Sequence, residues 1–126
     1  MDTYNVGPGT NQITIEAKVT TVASAHTHVV MVKSDKSIEF IEDSSYLDGY
    51  IPPASIGKQN DIKGNSLRIT TSIHYAETSD QNADTFTISY ILNGGPDQST
   101  FNLTDAVVSK ISAAAITVVV KTIGLA

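Results

Sequence analysis

Cysteine and tryptophan are both absent from this chain of 126 residues. Without cysteine there is no disulfide framework, zinc ribbon, thiol nucleophile or iron–sulfur site. Without tryptophan the largest stacking face used against sugars is missing. Basic residues are scarce as well: 8 Lys and Arg face 13 Asp and Glu, a formal net charge of −5. Such a surface repels phosphate backbones, and no Lys/Arg stripe overrides it, so nucleic acid is excluded as an expected partner. Long apolar runs are lacking too. "ITVVV" falls far short of a bilayer span, and the opening "MDTYNVGPGT" has neither a basic n-region nor an apolar h-region. The expectation is no membrane span and no export signal, with a cytoplasmic location by default. No cofactor fingerprint occurs, and none is expected to be needed.

What the chain does have is period-two alternation. In "QITIEAKVTTV" Ile13, Ile15, Ala17 and Val19 share one face, and Thr14, Glu16, Lys18 and Thr20 the other. "SLRITTSIHYA" sets Leu67, Ile69, Thr71, Ile73 and Tyr75 inward, and "TFTISYILN" does so with Phe86, Ile88, Tyr90 and Leu92. "HVVMVK" and "ITVVVKTI" are more uniformly apolar, which predicts strands covered on both faces or central in a sheet. "NGGPD" is hairpin punctuation, and "SDQNAD" reads as a second hairpin tip. The chain length fits one domain spanning residues 1–126. About seven to eight short strands predict an all-β, antiparallel β-sandwich of immunoglobulin-like type, with a barrel as the alternative. The expected core is Ile13, Ile15, Val19, Leu67, Ile69, Ile73, Phe86, Ile88, Tyr90, Phe101, Leu103 and Val118. "AITVVVKTI" must lie inside the sheet or pair with another chain, Lys121 being its only charged gatekeeper.

Two regions break the rhythm. Residues 43–66, with Pro52, Pro53 and two tyrosines, read as one long loop. Residues 104–115 fit either a helix capped by Thr104 or a strand end and turn, and the strand-rich surroundings favour the second.

Candidate chemistry is sparse. Asp80, Asn82 and Asp84 alternate as in the first half of a calcium loop, yet Thr85 and Ile91 occupy the positions where an EF-hand needs Gly and Glu. Turn-forming polar residues are the plainer account. His26 and His28 share one face of a strand, a spacing that can offer two imidazoles to a metal; His74 is the only other histidine. Exposed histidines at a strand start are again the plainer account. No "GxSxG" or "HExxH" occurs. Tyr46, Asp48 and Tyr50 could form a sugar-stacking platform on the 43–66 loop, or the rings could fold back over the core.

These observations favour a non-enzymatic binding or structural module that recognises a protein or carbohydrate through residues 43–66. The rivals are a lectin-like module, a self-assembling subunit forming a homo-oligomer, and a small hydrolase or metal site around His26, His28 and His74.

Overall fold

The computed structural model describes residues 1–126. The chain forms ten strands: β1 (Asp2–Tyr4), β2 (Gln12–Thr20), β3 (Ser24–Val32), β4 (Ile38–Asp43), β5 (Ile51–Lys58), β6 (Ser66–His74), β7 (Thr87–Asn93), β8 (Ser99–Phe101), β9 (Val107–Ile111) and β10 (Ile116–Leu125). Two short helices, α1 (Gln59–Ile62) and α2 (Thr78–Ala83), and a 3-10 turn (Ser112–Ala114) complete it. The strands build two sheets that do not close into a barrel. One has six strands in the order β1-β10-β6-β3-β4 with β9 also on β10; the other has four in the order β5-β2-β7-β8. All pairs are antiparallel except β1–β10, which is parallel.

Alternation explains the core. Ile13, Ile15 and Ala17 of β2 and Ile88, Tyr90 and Leu92 of β7 meet Val29 and Met31 of β3, Leu67 and Ile69 of β6, and Val119 and Ile123 of β10 in one cluster. A smaller cluster of Ala25, Ile73, Tyr75 and Ala115 closes one end. Val19, Phe86, Phe101 and Leu103 pack against this core while partly exposed. Val118 does not join it. On β10 the inward set is Thr117, Val119, Lys121 and Ile123, one residue out of phase with the expectation. An all-apolar run carries no phase information, so sequence alone could not choose the face. The gatekeeper role of Lys121 fails for the same reason: its side chain is 0% exposed and its Nζ donates to Asp2 Oδ2 at 2.5 Å and to the Thr104 carbonyl. The run is nonetheless central, flanked by β6 on one side and by β9 and then β1 on the other.

Two connections differ from the sequence reading, each for an identifiable reason. Residues 43–66 are not one loop, since they contain β5 and α1. Pro52 and Pro53 disguise β5, but it is an edge strand, and its register on β2 skips from Ala54 to Ile51 where the prolines fall. Edges and bulges are where a sheet tolerates proline. "SDQNAD" is not a hairpin tip either. It forms most of α2, because β6 and β7 lie in different sheets and the chain must cross between them. Gln81, 1% exposed, holds this crossing by donating to the Ile116 carbonyl and Thr117 Oγ1. Residues 104–115 form β9 and the 3-10 turn, which is the strand-and-turn reading. "NGGPD" is the hairpin between β7 and β8.

Candidate functional site

The outward face of β3 carries His26 and His28, with Ala25, Thr27, Val29 and Met31 pointing into the core. Val30 and Val32 follow the histidines outward and are partly covered. The third member of the group comes from β4 by way of a bulge. Val30 pairs with Phe40, but Val29 pairs with Glu42 and His28 with Asp43, so one extra residue enters between them. A regular ladder would set Glu42 opposite His28. The bulge instead brings Asp43 opposite His28, while Ile41, next to the outward Phe40, packs against the core.

Asp43 Oδ1 lies 3.1 Å from His26 Nε2 and 2.6 Å from His28 Nδ1. One carboxylate oxygen thus serves both rings. Ser44 Oγ sits 3.3 Å from His26 Nδ1 and accepts the Thr27 N–H at 3.0 Å. An ionised Asp43 only accepts, so a ring nitrogen bonded to it carries a proton. Moving that proton of His26 to Nδ1, toward Ser44, would free the Nε2 lone pair for a cation at the shared centre. Phe40 packs beside His28 with ring centroids 5.7 Å apart. Side-chain exposures of 49%, 42% and 41% for His26, His28 and Asp43 leave all three reachable from solvent. His74 is elsewhere: it pairs across from Ser24 on β3, whereas Ser72 and Thr70 face His26 and His28.

Immediately after Asp43 the chain turns through residues 44–50, pinned at several points. Ser44 N–H donates to the Thr27 carbonyl and Ala25 N–H to the Leu47 carbonyl. Thr27 Oγ1 donates to the Gly49 carbonyl at 2.7 Å. Gly49 has φ +72°, and an added Cβ would lie 2.9 Å from Val19 Cγ2, so only glycine fits this close approach. Behind it runs a chain of buried hydroxyls. Thr27 Oγ1 spends its single proton on Gly49, so at 3.2 Å it must accept from Thr71, which in turn must accept from Tyr90 OH at 2.7 Å. Burial pushes the Tyr90 phenol up to about 12, which keeps it a donor.

The sugar-platform residues are placed differently from one another. Tyr46 stands 78% exposed beside Leu47 at 79%. Asp48 accepts the Tyr50 N–H at 3.0 Å, and Tyr50 OH reaches across to Glu16 at 3.0 Å. The rings do not fold back as core lids, and none of the three surface concavities is lined by this trio. The largest concavity, about 400 Å³, is lined by Val22, Ser24, His74, Tyr75 and Asp80 among others. There Ser24 Oγ reaches the His74 carbonyl, not its imidazole.

Asp80, Asn82 and Asp84 do not make a chelating loop. Asp80 and Asn82 lie on α2, where residues two apart project about 200° from each other, and Asp84 follows it in extended conformation, so the alternation that gathers ligands in an extended loop is undone. Asp84 is a corner latch: its Oδ2 accepts from Thr21 Oγ1 at 2.5 Å and Tyr75 OH at 2.6 Å. Burial and the hydrogen bond to Asp84 push the Tyr75 phenol up to about 12.

The sequence singled out His26 and His28 and missed what joins them. Asp43 was one of many acidic residues near a turn, and only the bulge, invisible in the pattern, selects it over Glu42. No family model, curated protein or solved structure matches the chain.

Proposed function

We propose that this protein is a non-enzymatic recognition module, an immunoglobulin-like β-sandwich that engages a protein partner through the 44–50 loop. The architecture is supported by strand order. In β10-β6-β3-β4, a β3–β4 hairpin sits beside β6 and then β10, as C, C′, F and G do in a variable-type domain, and β2–β5 corresponds to B beside E. The β7–β8 hairpin departs from that plan, occupying the other edge of β2 where strand A would lie.

The observation that carries the recognition reading is the pair Tyr46 and Leu47. Large apolar side chains in open solvent are costly to display. Here they stand at the tip of a segment fixed by main-chain hydrogen bonds, a close-packed glycine and a buried hydroxyl chain. A rigid amphipathic anchor loses little entropy on binding, which is how tyrosine-rich paratopes work. With no concavity at the loop, a partner that supplies the pocket is favoured over a sugar seated in one. The test pairs affinity capture with a glycan array, using the full chain and a Tyr46→Ala/Leu47→Ala variant. A protein partner captured by the parent and lost by a still-folded variant supports the reading. A glycan bound equally by both, or a partner retained by the variant, ends it.

A further inference from the structure

We propose that His26, His28 and Asp43 bind one divalent transition-metal ion, zinc being the reference case, with an open coordination position facing solvent. Two imidazole nitrogens and a carboxylate oxygen are a donor set suited to zinc, which takes such atoms at about 2.0–2.2 Å. Around a tetrahedral ion of that size, neighbouring donor atoms are about 3.3 Å apart. In this protein the three donor atoms all lie within 4.8 Å of one another, with Asp43 Oδ1 at 3.1 Å from one ring and 2.6 Å from the other. Seating an ion therefore asks for a small side-chain adjustment and no backbone movement.

The surroundings favour the same conclusion. His26 and His28 are held two residues apart on a strand inside the sheet, and Asp43 is brought opposite His28 by a bulge. Ser44 stands at the second nitrogen of His26, the position from which an outer partner fixes the tautomer of a ligating ring. No lysine or arginine pairs with Asp43, in contrast to Glu39 with Lys33 and Asp2 with Lys121. Its charge is thus free for a cation. Calcium and magnesium prefer all-oxygen sites, so a set with two nitrogens selects against them. Three protein ligands leave room for water or for a donor from a bound molecule.

The ion would sit at the root of the 44–50 loop, but its binding does not depend on that loop having a partner. Zinc chloride titrated into the full chain by calorimetry should show one ion per chain, with calcium chloride producing no heat. Asp43→Ala removes one of the three ligands and should weaken binding by more than the about tenfold that loss of an outer-shell partner costs, and His26→Ala/His28→Ala should remove it. Cobalt(II) should give the visible absorption of a low-coordinate N,O site in the parent only. Ring resonances in the unmodified protein provide a readout without substitution: zinc should move those of His26 and His28 and leave those of His74 in place. Absence of zinc heat into the millimolar range overturns the site. So does binding that survives the double-histidine variant, or a shift confined to His74.

Discussion

At one side of the six-stranded sheet the ammonium of Lys121 is sealed from water against Asp2 and the Thr104 carbonyl, while toward the other His26 and His28 share Asp43 half in solvent. Both clusters pair a carboxylate with nitrogen groups, yet their surroundings give them different work. The buried ammonium has lost its hydration, so each remaining partner is indispensable, and the pair ties the parallel strand β1 to β10. The histidine cluster has lost little hydration. Its geometry stabilises the fold only slightly and stays available to a ligand. Burial, not charge, separates a fastener from a site.

The largest effect that would break this contrast is at Asp2. Asp2→Ala should cost about 3–5 kcal/mol in urea unfolding, because the buried cation is left without its counter-charge. Lys121→Met removes that cation and leaves Asp2 with access to water, so it should change stability by about 1 kcal/mol or less. Equal losses in the two variants would show that the ammonium is not the costly partner.

A second test uses alkali on the hydroxyl chain behind the loop. The Tyr90 phenol is raised from 10.0 to about 12 by burial, so the folded state holds its proton more tightly than the unfolded state. That contribution is complete below pH 10 and is lost as pH rises toward about 12. A loss of roughly 2–3 kcal/mol across this window is expected, reduced in Tyr90→Phe. An identical slope in the variant would assign the alkaline loss to other groups, Tyr75 first.

Thr71→Val should cost about 1–3 kcal/mol, because it strands the Tyr90 donor and the Thr27 acceptor together. A loss within about 0.5 kcal/mol, as at surface sites, would mean that water replaces the missing hydroxyl. The smallest effect belongs to the exposed cluster. Asp43→Ala should change stability by about 1 kcal/mol or less without metal. A larger loss would move that cluster into the same class as Lys121.

Much of the fold was legible wherever polar and apolar residues alternate. The inward sets of β2, β6 and β7 follow directly from Ile13–Ile15, Leu67–Ile69 and Ile88–Tyr90, since each face has its own chemistry. Phase was illegible on β10, where Val118, Val119 and Val120 are alike and Lys121, buried by a partner 119 residues away, mimics a surface residue. Elements without pattern were harder still. Pro52 and Pro53 argue against a strand unless its neighbour on only one side is known, and the order of strands is a non-local property. Of the candidate site, His26 and His28 were visible as a pair and Tyr46 as an exposed ring. Asp43 was not, because one inserted residue decides which acid faces them.

The same prolines have a consequence during folding. Pro52 and Pro53 sit together at the irregularity opposite Glu16, so this stretch of the β5 edge lacks two N–H donors and its ladder is broken. A nascent or partly opened molecule recruits another chain poorly along that stretch, because proline and a broken ladder both blunt an edge as a template. The protein that exposes a run such as "ITVVV" before β6, β9 and β1 enclose it therefore has at least one border already blunted against templated misassembly.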